Sequence, residues 1–280
     1  FNKYIQHLIN KLEAENVKIY IEQFFYNYLE DRLRFKNDVF TFTNHDDLKN
    51  KADVLFSIGG DGTLLNSVSY VRDSNIPILG INTGRLGFIS SVAPDQIDKA
   101  VTDVLANNYN INRRTLLSLS TTNNLFKNKN FALNEVAVLK KDTSSMVKID
   151  TFVDDEFLNT YWADGLIIST PTGSTGYSLS CGGPIMTPTS QTFSITPIAP
   201  HNLNARPLII SDETNIELSV KGREESHLLS LDSRIISLTN DTKIKIKKAN
   251  YKIKLASFSN NSFYKTLRNK LLWGEDKRNI

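Results

Sequence analysis

A single cysteine in 280 residues, Cys181, rules out an intrachain disulfide and any cage of metal-binding thiolates. The four histidines (His7, His45, His201 and His227) are scattered, with no HExxH string and no pair four residues apart, so the chain offers no zinc site of its own. No stretch approaches the roughly 18 uninterrupted apolar residues of a membrane helix. An excess of one charge is also lacking. The 33 Lys and Arg stand against 30 Asp and Glu, and a net charge of +3 is small for a protein that lives on nucleic acid or an anionic membrane. No GxxxxGK[ST] loop, no GxGxxG opening a βαβ unit and no GxSxG elbow is present, which sets aside P-loop kinases, Rossmann dehydrogenases and α/β-hydrolases. These absences lead to the expectation of a cytoplasmic protein that engages neither nucleic acid nor membrane.

What is present is an ordinary globular composition, 40% hydrophobic and 22% charged. Ile5, Leu8, Ile9 and Leu12 take the spacing of an amphipathic helix over residues 3–15, not the unbroken apolar run of a secretory signal. Up to about Asn108, helical spacings alternate with short apolar runs such as 17–21, 54–58 and 76–81, the pattern of βαβ units on a parallel sheet. After Asn112 short strand-like segments take over, at 115–120, 131–139, 146–153, 166–170, 208–210, 214–219, 227–231, 243–247 and 251–257. They are separated by turns such as Asn123-Asn124, Asp154-Asp155 and Lys221-Gly222, as in a β-sandwich or barrel. The expected fold is an α/β N-terminal domain with a parallel sheet (1–110), followed by a β-rich, sandwich-like domain (111–257). A helical tail (258–280) is expected to return to the first domain.

Eleven of the thirteen glycines fall in three short stretches, 59–62, 80–87 and 165–183. The first is Gly59-Gly60-Asp61-Gly62-Thr63, directly after a buried strand and before a helix, where exposed amides make a phosphate site. An acid there opposes an anion, so Asp61 either caps the helix, meets a metal ion or takes a proton from an attacking hydroxyl. The second is Asn82-Thr83-Gly84-Arg85-Leu86-Gly87-Phe88, in which Phe88 either packs on an aromatic base or sits in the core. The third follows Asp164-Gly165. It crowds hydroxyls around glycines from Thr170 through Thr172, Gly173, Ser174, Thr175, Gly176, Tyr177, Ser178, Leu179 and Ser180 to Cys181-Gly182-Gly183-Pro184. Such groups suit ribose, amide or phosphate, and they also suit plain turns. Asn134-Glu135 interrupts an apolar run, which makes it either a satisfied structural pair or a ligand clamp. His201, in Pro200-His201-Asn202, reads as a loop residue and Cys181 as a small buried one.

In this order and spacing the strings resemble the successive motifs of the NAD kinase family, from about residue 53 onward. Residues 200–207, Leu231-Asp232-Ser233-Arg234 and 267–274 resemble it too. Gly-Gly-Asp-Gly-Thr is shared with diacylglycerol- and sphingosine-type lipid kinases, so a lipid kinase is one alternative and a non-catalytic NAD(P)-binding sensor another. The 170–184 string and the retained Asp61 favour the first reading. The resemblance implies the NAD kinase/diacylglycerol kinase-like fold and transfer of the ATP γ-phosphoryl group to the 2′-hydroxyl of the adenosine ribose of NAD. It also implies a divalent metal, usually Mg²⁺, and a homodimer or homotetramer.

By the same resemblance Asp61 is the general base, while Gly59, Gly60, Gly62 and Thr63 hold the ATP phosphates. Asn134 and Glu135 grip the ribose of NAD, and Asp164 meets the nicotinamide amide, in its own or a neighbouring subunit. Thr175, Gly176, Tyr177, Ser178, Leu179 and Ser180 line adenine and ribose, with Thr172 and Ala199 near the dinucleotide. The family opens with a strand and a glycine-containing loop before the first helix; residues of the natural chain are therefore expected ahead of Phe1.

Overall fold

The apolar stripe of the first helix, Asn2–Ala14, buries Ile5, Leu8 and Ile9, and Asn16 just beyond it takes a left-handed backbone (φ 54°). These features belong to a computed structural model. It describes residues 1–84, 87–90, 92–122, 125–141, 145–222, 225–240, 242–258 and 262–273. Arg85 and Leu86 of the second glycine stretch, the Asn123-Asn124 turn and Gly274 lie outside the described residues. The chain divides into two compact units, one formed by Phe1–Arg113 with the segment from Ile253 onward, the other by Arg114–Lys252.

In the first unit Ile5 and Ile9 share a core with Ile19, Ile21, Leu29 and Leu33. Strand Tyr20–Glu22 pairs in parallel with Phe40–Phe42. The sequence did not announce the latter strand, since two of its three residues are exposed and no apolar run marks it. Helix His45–Leu48 was also unannounced; Asn44 caps it by accepting from the Asp46 and Asp47 amides. Strands Leu55–Gly59 and Ile78–Asn82 pair in parallel, and the second is buried along its whole length. Helix Asp61–Val71 joins them, turning Leu64, Val68 and Val71 inward. Each such side chain contributes about 1.5–3 kcal/mol on burial. Helix Ile97–Leu105 covers the sheet with Ile97, Ala100, Val101 and Val104. Leu255 pairs with Ile78, again in parallel, and helix Phe263–Leu271 follows, capped by Ser262.

The second unit holds two antiparallel arrays. The first runs Leu208–Ser211, Thr192–Ile198, Gly165–Ser169, Glu135–Leu139, Ser226–Leu231, Arg234–Thr239 in spatial order. In the second, Ile216–Lys221 pairs with the start of Ile244–Ser257 on one side and with Val147–Val153 on the other, and Glu156–Ala163 lies outermost. Val136, Val138, Leu166, Ile168, Phe193 and Ile195 of the first array pack with Ile149, Ile216 and Leu218 of the second in one core. Segments 243–247 and 251–257, expected as two strands, are one continuous strand, Ile244–Ser257. Segment 131–139, expected as one, is two, because the backbone breaks between Phe131–Ala132 and Glu135–Leu139. That break is where the candidate site begins.

Candidate functional site

Asp61 is the first residue of its helix, and its side chain does not cap that helix. It reaches instead to the loop 87–90. Its Oδ2 accepts from the Phe88 amide at 2.7 Å, and its Oδ1 from the amides of Ile89 and Ser90 at 3.2 and 3.0 Å. Gly87 makes the approach possible, because a Cβ there would lie 1.8 Å from Asp61 Oδ1. Around Asp61 the turn is open: a Cβ on Gly60 or Gly62 would meet nothing within 4 Å, and Thr63 is exposed. The Thr63 and Leu64 amides donate to the Gly60 carbonyl at 3.1 and 3.2 Å, and the two helix amides ahead of them lie before the first such acceptor, where they suit an anion. Phe88 is half-buried beside its Asp61 contact.

In the second unit Asp232 forms the break at 133–134. It sits in the two-residue turn after strand Ser226–Leu231, with φ 51°, a left-handed backbone that Asp tolerates. Its carboxylate accepts the amides of Leu133, Asn134 and Glu135 at 2.9, 2.8 and 3.2 Å, which takes these amides out of the ladder until the strand resumes at Glu135, opposite Ser169. From the other side the Asn134 carbonyl accepts the Thr170 amide at 2.9 Å. Gly173 presses on the same carbonyl, where a Cβ would come within 2.1 Å.

Held this way, Asn134 and Glu135 keep side-chain oxygens unused. Asn134 Oδ1 and Glu135 Oε2 are buried and have no hydrogen-bond partner among the described residues. These oxygens are free to accept from a ligand. Burial, and then the charge of Asp232, push the Glu135 carboxyl up to about 8.

The hydroxyl-rich string turns both ways. Thr170 is buried and donates to the Leu133 carbonyl, which locks the string to the same break. Ser174 bonds Pro171 O and the Met186 amide. Ser178 is fully buried against Thr196 at 3.1 Å, and Thr172 is nearly so, its carbonyl accepting from the Thr175 hydroxyl. Gly176 lies beside Asn134 Nδ2 and Glu135 Oε2. Tyr177 and Ser180 are exposed, and Leu179 is half-buried. Burial, followed by the charges of Cys181, Asp164 and Glu135, raises the Tyr177 phenol. The structure thus brings Asn134, Glu135, Gly176 and Tyr177 together and turns the Ser178 hydroxyl away. Cys181 is only half-buried, and burial raises its thiol.

Asp164 pairs with Lys140 at 2.7 Å, and its amide donates to Ile198. Next along the chain, Ala199 is exposed with φ 42°, a conformation uncommon for alanine. The sequence alone gives no role to Ile89, Ser90, Asp232 or Arg234, and it presents Gly87 as a loop glycine near a ligand, not as the residue that admits the Asp61 carboxylate. The one available signal was an acid at a tight turn between two strands.

A parallel-sheet unit with an amide turn and an anchored acid, and a β unit with unpaired Asn134 and Glu135 oxygens, suit a nucleotide-using phosphotransferase. The signature of the ATP-NAD kinase N-terminal domain matches residues 3–109, and that of the ATP-NAD kinase C-terminal domain matches 133–258. The NAD kinase of Flavobacterium johnsoniae is 55% identical over 268 residues, covering 95% of this chain and 91% of that protein. Among solved structures, an NAD kinase from Archaeoglobus fulgidus in complex with ATP is 26% identical with a TM-score of 0.73, covering 91% of this chain and 99% of that one. The yeast NADH kinase complexed with NADH is 23% identical and shares the fold, with a TM-score of 0.87 over 98% of this chain and 84% of its own. The chain belongs to the NAD kinase family.

Proposed function

We propose that the chain is an NAD kinase, moving the γ-phosphoryl group of ATP to the 2′-hydroxyl of the adenosine ribose of NAD to give NADP and ADP. The observation that carries this reading is the state of Asp61. A carboxylate has about four lone-pair directions. Three amides fill three of them, both at Oδ1 and one at Oδ2. The remaining Oδ2 direction is available to receive the proton of an attacking hydroxyl, and the three amides hold it in a fixed orientation. Phosphoryl transfer asks chiefly for positioning and charge neutralisation. The turn of Gly59, Gly60, Gly62 and Thr63 would hold the phosphates, Thr63 by its hydroxyl because its amide donates to the Gly60 carbonyl. Asn134 and Glu135 would grip the ribose, Asp164 the nicotinamide amide, and residues 172–180 with Ala199 the rest of the dinucleotide.

The donor set fits a divalent ion that arrives on ATP. Among the described residues no three His, Cys, Asp or Glu side chains gather to hold a bare ion, and the carboxylate of Asp61 is already largely engaged. When bound through phosphate oxygens and water, Mg²⁺ neutralises the charge of the triphosphate.

No helix of the described residues is long and apolar enough to cross a membrane. A lone cysteine suits a reducing compartment, and the cytoplasm is the proposed location. A homo-oligomer is proposed as well. The outermost strand, Glu156–Ala163, exposes Phe157 and Trp162 at 55% and 53%, and a second copy would cover them. Light scattering of the purified protein checks this, and a monomer at all concentrations would contradict it.

The activity is tested by incubating the protein with NAD, ATP and Mg²⁺ and reading NADP with a strictly NADP-dependent dehydrogenase. NADP forming only in the complete mixture is the expected outcome. Folded protein that binds NAD and forms no NADP would refute it.

A further inference from the structure

Asp232 carries no role in the reading above, yet it is the most constrained acid in the second unit. Its side chain is 4% exposed, and Arg234 stands 3.6 Å from it. Arg234 is itself fixed, donating to the carbonyls of Lys129 and Phe131 and lying over the Phe131 ring at 4.9 Å. Two amides share Asp232 Oδ1 and one takes Oδ2. Three N–H donors call for a group that only accepts, which is the ionised carboxylate. Burial pushes this carboxyl up, while the amides and the guanidinium oppose that.

We infer that Asp232 is a positioning residue for the dinucleotide, acting through Asn134 and Glu135: its carboxylate ties the three successive amides of 133–135 into one turn and faces Glu135 with a fixed negative charge. The inference rests on the reading of Asn134 and Glu135 as the NAD grip. Asp232 from the hairpin turn faces Glu135, with Arg234 acting on Asp232 behind it, and Tyr177 from the short helix lies on the other side with Asp164 and Cys181 beyond. Two acids that feel each other's charge ionise one after the other. Asp232, held by its donors, keeps the charge, and Glu135 keeps a proton at neutral pH. A neutral Glu135 both donates and accepts through the carboxyl whose Oε2 is now unpartnered. That pattern matches a ribose hydroxyl and does not repel a pyrophosphate.

The test is the dissociation constant of NAD by calorimetry on the full chain, between about pH 6 and pH 10. In the wild type the affinity is flat below a break near 8. Above the break it weakens about tenfold per pH unit, because the neutral form is the one that binds. Asp232→Asn removes the repelling charge, so the break moves down by about one pH unit. NAD then binds about fivefold more weakly at the wild-type break, where the wild type is half protonated, with ATP affinity unchanged. Arg234→Gln removes the counter-charge and moves the break up, which keeps the inference testable if Asp232→Asn fails to fold. Glu135→Gln abolishes the break. A break that stays in place in the charge variants but disappears in Glu135→Gln overturns the role of Asp232 and leaves the grip intact. A break that persists in Glu135→Gln overturns the grip itself, and the inference with it.

Discussion

At the residue scale, three carboxylates among the described residues each accept two or three main-chain amides far along the sequence. Glu13 takes the amides of Lys36 and Asn37, Asp61 those of residues 88–90, and Asp232 those of 133–135. Hydrogen bonds to a charged group contribute about 1.5–3 kcal/mol each, so each acid fixes a turn that has no regular structure to hold it. For Asp61 the arrangement depends on a missing side chain. A methyl on Gly87 would collide with Oδ1, whereas one on Gly84 would find its nearest neighbour at 3.8 Å. Gly87→Ala is therefore expected to displace the carboxylate, lower the unfolding midpoint by several degrees and depress turnover, with Gly84→Ala close to wild type in both. Thermal unfolding and steady-state rates on the two variants check this, and equal behaviour would count against the anchoring of Asp61 by the loop.

At the scale of elements, legibility followed periodicity. The helix Asn2–Ala14, the buried strand Ile78–Asn82 and the alternation of Val147–Val153 carry apolar patterns of period 3.6 or 2, and each was readable. Phe40–Phe42 was not, because its residues are mostly exposed. Glu156–Ala163 was missed for a related reason: as an edge strand it buries only Tyr161 and Ala163 and has no continuous apolar face. The split of 131–139 could not be read either, because its cause is a carboxylate 97 to 99 residues away. The same distance explains the candidate site. Glycine clusters and a polar pair in an apolar run were visible as local anomalies. That Asp61 serves its own helix least and a distant loop most, or that Ser178 faces inward to Thr196, follows only from the packed chain.

At the scale of the molecule, each unit carries one kind of chemistry. The first has parallel strands ending at an amide turn, which open α/β sheets use for phosphate. The second has a β core in which the break at 133–134 adjoins Asn134 and Glu135 oxygens that are buried and without a partner among the described residues, which binding of a ligand would satisfy. Family membership and 55% identity to an NAD kinase over nearly the whole chain join the two in one reaction. They also set aside the lipid-kinase alternative that the Gly-Gly-Asp-Gly-Thr string alone left open.

The central claim is that the Asp61 carboxylate receives the proton of the attacking hydroxyl, and the most direct test is the single-turnover rate of Asp61→Asn with NAD and MgATP saturating. Asparagine keeps an acceptor for the amides of Ile89 and Ser90 but cannot take a proton. The account predicts retained NAD binding and a rate lower by about 10²–10⁴-fold. A variant that binds NAD and turns over at the wild-type rate would contradict it.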